Sequence, residues 1–121
     1  MNELKKYLTI NSIFSAITGL AMLIFYAHLN KFFNLNNDYV FPLIGSNLLI
    51  FSIFVWYVSN KQLTNKLLVS IITIFDWLWV FGSFTIVLFN LYDLSKNGKV
   101  ITIIVAVWIA FLAYNQFKNN R

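Results

Sequence analysis

Along this chain the apolar residues neither alternate with polar ones nor keep to one helical stripe. They gather in four long runs, at 8–27, 40–59, 67–91 and 100–117. Each run approaches the roughly 20 residues that carry a helix across a hydrocarbon core about 30 Å thick. A helix on the surface of a soluble protein shows polar residues on its outer face at a 3.6 period, whereas these runs are apolar nearly all round. The pattern therefore predicts four membrane-spanning helices, and the short connections between them make neighbours antiparallel. The expected fold is all-α: an antiparallel four-helix transmembrane bundle with up-down-up-down topology, residues 1–121 forming a single integral membrane domain. No internal repeat of motif pairs the two halves.

The connections carry their own signals. The first, HLNKFFNLNNDY, mixes asparagines with Phe32 and Phe33, which suits a segment lying among lipid headgroups. Pro42 falls in the opening turn of the second span, where a missing amide donor costs little. In the third connection Asn97-Gly98 is expected to supply the left-handed backbone of a tight turn or helix C-cap.

Composition agrees with a membrane solvent: 60% of residues are hydrophobic and 11% charged. The net charge of +5 comes from basic residues scattered through short loops and tails, not from one soluble face, so nucleic acid is not an expected partner. Lys5, Lys6, Lys61, Lys66, Lys118 and Arg121 fall on one side of the predicted bundle, and Lys31, Lys96 and Lys99 on the other. The positive-inside rule then places both termini and the middle loop in the cytoplasm. Lys5 and Lys6 ahead of an apolar run resemble a secretory leader, but the run is too long for a signal core and no A-x-A site closes it.

The chain has no cysteine, so thiol redox chemistry and disulfides are excluded. His28 is the only histidine, and one imidazole without other His or Cys nearby predicts neither a zinc site nor bis-imidazole haem; it reads as a headgroup-level residue. There is no phosphate-binding glycine loop, no Ser-His-Asp set and no carboxylate pair at catalytic spacing. No cofactor and no enzymatic activity are expected. Near the end of the fourth span, Asn115 and Gln116 followed by Lys118 read as an ordinary interfacial exit.

One residue stands out against this background. Asp76 lies within the 67–91 run, and an ionisable group there costs about 2.5–3.5 kcal/mol on insertion scales. Ser70, Thr73, Asp76, Val80 and Ser83 form one stripe of that helix, flanked by Trp77 and Trp79. In the first span Asn11, Ser15, Thr18, Gly19 and Met22 follow steps of three and four and share a face. In the second, Gly45, Ser52 and Ser59 recur every seventh residue, the seam of a left-handed helix pair. Asn47 points elsewhere, about 200° round from Gly45.

At 1.5 Å per residue Asp76 lies roughly 13 Å from the cytoplasmic end of its span, Thr18 and Gly19 about 15 Å, Asn47 about 18 Å and Trp108 about 13 Å. This layer predicts a polar centre in which Asn47, Thr18 or the indole of Trp108 bonds to the Asp76 carboxyl, with Asn11, Ser15 and Trp77 completing the candidate binding residues. No Lys or Arg lies at that depth, so burial favours the neutral acid, which donates as well as accepts. Trp56, Trp77, Trp79 and Trp108 could form an aromatic box for an organic cation, although packing and interfacial anchoring are their commoner roles.

Asn11, Ser15 and Gly19, the segment Phe75-Asp76-Trp77-Leu78-Trp79-Val80-Phe81-Gly82-Ser83 and the closing Tyr114-Asn115-Gln116-Phe117 resemble a group of short bacterial four-span membrane proteins of unknown function. The D-W-x-W-V-x-G-S core is the specific part. The resemblance implies a multi-pass bacterial inner-membrane protein and brings no activity with it. In size the chain is also similar to the small multidrug-resistance transporters, but those carry an essential glutamate in the first span, where this chain has no acid.

Two readings of Asp76 stay open: a proton- or cation-linked carrier centred on it, or a non-catalytic structural or accessory subunit in which it bonds helices together. The expected surroundings are the lipid bilayer and either a second copy of the chain or another membrane protein.

Overall fold

The computed structural model describes residues 2–120; Arg121, counted above in the charge bias, lies outside the described residues. The elements in order are α1 (Asn2–Ile24), α2 (Tyr26–Phe33), α3 (Val40–Lys61), α4 (Lys66–Leu88), a 3-10 turn (Leu91–Asp93) and α5 (Lys96–Asn119). The four long helices, α1, α3, α4 and α5, are long and apolar enough to cross a membrane. The molecule is an all-α bundle and a multi-pass membrane protein. The end of the bundle holding both termini and the α3–α4 connection is called the terminal pole here, and the other end the opposite pole.

The long helices depart from the apolar runs at their ends, most of all α1. α1 begins well before residue 8, because the polar N-terminal residues continue the helix out of the apolar run. It stops at Ile24, and the chain bends at Phe25 (φ −106°, ψ 24°) before continuing into α2. Hydrogen bonds from Phe25 N–H to Ala21 O and from Leu29 N–H to Phe25 O run through the bend. α2 occupies the connection expected to lie among headgroups. It closes on Asn34, which adopts the left-handed region at φ 59° while the Leu35 N–H reaches back to Asn30 O, a Schellman-type end.

The Asn97-Gly98 expectation is corrected. Both residues belong to the first turn of α5, and the left-handed positions are Asn34, Asn90 and Asp93. Gly98 is required for space instead: a Cβ there would lie 2.8 Å from Phe33 Cδ2. Ser95 caps α5, its hydroxyl accepting from Gly98 N–H at 3.0 Å and donating to Phe32 O. The Ser95 N–H also bonds to Phe33 O, so the two connections at the opposite pole are tied together.

Packing joins two helical hairpins, α1 with α3 and α4 with α5, through a further contact of α1 with α5, while α3 and α4 meet only sparingly. The α1–α3 crossing is the tightest. A Cβ on Gly19 would come within 2.7 Å of Gly45 O, and one on Gly45 within 2.6 Å of Gly19 O. Toward the terminal pole the same seam continues in Ser12 Oγ donating to Ser52 O at 2.9 Å and in a 3.1 Å bond between the Thr9 and Ser59 hydroxyls. These contacts fit association in lipid, where close backbone approach and interhelical hydrogen bonds replace the hydrophobic drive. At the terminal pole Leu4 and Leu8 of α1, Val55 and Val58 of α3, and Val69 and Ile72 of α4 form an apolar core, which closes the base below the polar layer.

Candidate functional site: a carboxyl clamped by two amides

Asp76 lies on the face of α4 turned toward α5 and α1 and is 5% exposed. Asn11 of α1 and Gln116 of α5 both reach it. Asn11 Nδ2 donates to Asp76 Oδ2 at 2.8 Å, and Gln116 Nε2 donates to the same oxygen at 3.0 Å. Asn11 Nδ2 also donates to Gln116 Oε1 at 2.8 Å, closing a triangle of side chains from three helices. Gln116 is 0% and Asn11 2% exposed.

The bonds extend outward on both sides. Ser15 Oγ donates to Asn11 Oδ1 at 3.2 Å, one turn along α1. Gln116 Nε2 donates to Thr73 Oγ1 at 3.3 Å, and Thr73 passes its own proton to Val69 O. Each amide thus uses both of its protons and its carbonyl oxygen. An amide carries two donors and a carbonyl acceptor, so every donor of Asn11 and Gln116 is engaged. Turning either amide over would set its carbonyl oxygen against Asp76 Oδ2, so the carboxyl fixes both orientations.

The remaining oxygen, Asp76 Oδ1, accepts from none of the described residues. It is not sealed either, because the only fully enclosed polar side-chain atom without a partner among the described residues is Asn30 Oδ1. A proton on Oδ2 would compete with two N–H donors, so the neutral acid carries its proton on Oδ1. That oxygen is the atom of the carboxyl left open to a proton, a water or a cation. A groove of about 340 Å³ between α4 and α5 is lined by Ser70, Thr73, Ile74, Trp77, Phe117 and Asn120, and Asp76 itself does not line it. Thr73 belongs to both the groove and the cluster.

Of the residues expected at this centre, Asn11, Ser15 and Asp76 come together, and Trp77 stands next to them on the groove wall, its ring tilted against Phe81. Asn47, Thr18 and Trp108 do not. Asn47 faces outward from α3 and is exposed; sharing a depth with Asp76 does not help a side chain on the wrong face. Thr18 is half-buried about two turns beyond Asn11. Depth counted from residue 8 made Thr18 level with Asp76, but α1 starts at Asn2, which moves the level back to Asn11. Trp108 is 38% exposed and stacks on Phe111 with its edge toward Phe14. Among the described residues no two tryptophans form a ring pair; Trp77 packs against Phe81 and Trp108 against Phe14 and Phe111.

Gln116 is the residue that sequence reasoning missed. It lies close to the end of α5, where a polar residue ordinarily meets headgroups. In an α-helix side chains lean toward the N-terminus. On antiparallel α4 and α5 these leanings oppose each other, so Gln116 reaches inward while Asp76 reaches toward the terminal pole. The available signal was spacing: Leu112, Ala113 and Gln116 follow a three-and-four step, and all three are buried.

Among the described residues no group of three or more His, Cys, Asp or Glu side chains could hold a metal ion. The groups donating to Asp76 are neutral amides, which leaves a carboxyl without a protein counter-ion in a helix of membrane-spanning length. Compared with known proteins, the chain matches no family model, no curated protein and no solved structure.

Proposed function

We propose that this chain is a small, non-enzymatic carrier-type protein of a bacterial inner membrane, with both termini in the cytoplasm, in which Asp76 takes up and releases a proton or a cation as the two hairpins shift against each other. The observation that carries this reading is the division of labour within the carboxyl: Oδ2 receives both amides while Oδ1 is left without a partner. An interhelical hydrogen bond in a membrane contributes about 0.6 kcal/mol on average and at most about 1.7. At the average value two such bonds supply about 1.2 kcal/mol, less than half of the roughly 2.5–3.5 kcal/mol that an acid costs at the centre of a span. Packing alone is therefore a weak reason to keep an acid where an amide would bond equally well, and intramembrane acids commonly mark ion and proton paths. Asn11 and Gln116 come from α1 and α5, so a change in charge at Asp76 is felt at the contact between the hairpins.

Engagement of every donor of both amides favours a second reading, a structural or accessory subunit in which the cluster only fastens α1 to the α4–α5 hairpin. Asp76→Asn separates the two. A carrier loses proton-linked flux in vesicles while its folded fraction stays near that of the parent. A fastener shows no proton-linked flux in the parent or in the variant and keeps its folded fraction, because asparagine preserves the shape and accepts the same two bonds.

A further inference from the structure

Asn47 is a polar residue facing the wrong solvent. Its position in α3, about 10 Å along the helix from Val40, puts it inside the hydrocarbon region of a spanning helix, yet it is exposed on the outer face of the bundle. No described residue bonds to it. Asparagines near helix ends bond locally: Asn60, Asn115 and Asn119 each donate to the carbonyl one turn back. Asn47 makes no such bond. An amide in hydrocarbon without a partner costs several kcal/mol, and acyl chains offer neither donor nor acceptor.

The surface around Asn47 is suited to another helix. Leu43, Asn47, Ile50 and Tyr57 share one outer strip of α3 at steps of four, three and seven residues, and all four are exposed. This is the spacing of a left-handed helix pair, and it sets Asn47 within the strip, where its copy in a parallel pair stands opposite. The inner face of the same helix already uses this spacing, through Gly45, Ser52 and Ser59, to hold α1.

We infer that the outer face of α3 binds the same face of a second copy of this chain, in parallel, with Asn47 bonding to Asn47 of that copy about a two-fold axis along the membrane normal. A carboxamide is both donor and acceptor, so it is complementary to itself. A second copy inserted in the same orientation presents it at the same depth, and an isologous contact satisfies both amides at once. The charge bias of the loops supports a single orientation. In an antiparallel pair Asn47 would instead meet residues nearer the other end of α3, and the amide would stay unpaired.

The absence of cysteine allows a test without background. Single variants Ile50→Cys, on the α3 seam, and Ile104→Cys, on the exposed face of α5, are oxidised in membranes containing the full chain. Ile50→Cys is expected to give a band at twice the chain mass and Ile104→Cys none. Adding Asn47→Leu to Ile50→Cys weakens self-association in bilayers about 3- to 10-fold, whereas Asn47→Gln, which keeps the amide, retains it. Asn47 touches no described side chain through a hydrogen bond, so the single chain folds in every variant; its helical circular dichroism in detergent checks this. The inference is overturned if Ile50→Cys stays monomeric, if it cross-links to a different polypeptide, or if Asn47→Leu leaves the dimer unchanged.

Discussion

Asn11 and Gln116 lie at opposite ends of the sequence, yet Asn11 Nδ2 is 2.8 Å from Gln116 Oε1, and both amides donate to the same oxygen of Asp76. The contact joins the first span to the last. Because the three side chains share their bonds, removing one leaves buried partners unsatisfied, and removing two costs less than the sum of the single losses. Asn11→Ala and Gln116→Ala are each expected to destabilise the fold by about 1–3 kcal/mol, with a coupling of about 0.5–1.5 kcal/mol in the double-mutant cycle. Unfolding in mixed micelles by increasing SDS measures all three; additive losses would remove the triangle.

The glycines predict changes of opposite sign. A methyl on Gly19 or Gly45 meets backbone oxygen at 2.7 or 2.6 Å, an obstacle that cannot rotate away, so α1 and α3 must separate. Gly19→Ala and Gly45→Ala should each cost about 1–3 kcal/mol, in the range of overpacked cores. Gly82 has nothing within 4 Å of its virtual Cβ, and Gly82→Ala should be neutral or stabilising by up to about 1 kcal/mol through helix propensity. The same SDS titration orders the three variants.

Ser95 serves two roles at the opposite pole, capping α5 through Gly98 N–H and holding Phe32 O. Ser95→Ala should lower stability by about 1 kcal/mol and raise amide hydrogen exchange in the first turn of α5 and at the end of α2 together. Faster exchange in α5 alone would mean that the hydroxyl acts as a cap and does not tie the two connections.

The proposed sidedness rests on the distribution of lysine and arginine. A cysteine introduced at Asn36, in the connection after α2, is expected to react with a membrane-impermeant maleimide in intact cells, and one at Thr64, between α3 and α4, only after the membrane is opened. Equal labelling at both positions would show insertion in both orientations.

Much of the architecture was legible in the sequence because hydrocarbon imposes a coarse, strong requirement: long runs without charge. The Gly45, Ser52 and Ser59 seam could be read for the same reason, since small residues at a seven-residue spacing serve little except close approach. Partners within the polar layer were harder. Asp76 declared itself by its cost, and Asn11 and Ser15 by their shared face. Gln116 was hidden by its position near a helix end, and Asn47 was misplaced because depth along a helix carries no information about rotation. The start of α1 lay outside the apolar run, and those few residues moved the level of the site from Thr18 to Asn11. Asn97-Gly98 misled because glycine serves close packing as readily as a left-handed turn.

The central claim is that the Asp76 carboxyl changes its protonation state within the membrane. Asp76 is the only acid in the apolar core of the four long helices, and Glu3, Asp38 and Asp93 are all exposed, so its carbonyl stretch can be isolated by infrared difference spectroscopy of the protein in bilayers. The account predicts a protonated-carboxyl band that appears and disappears reversibly as pH is varied, is absent from Asp76→Asn, and shifts in frequency when Asn11 or Gln116 is replaced. A band of constant intensity at every pH, or none at any pH, would contradict it.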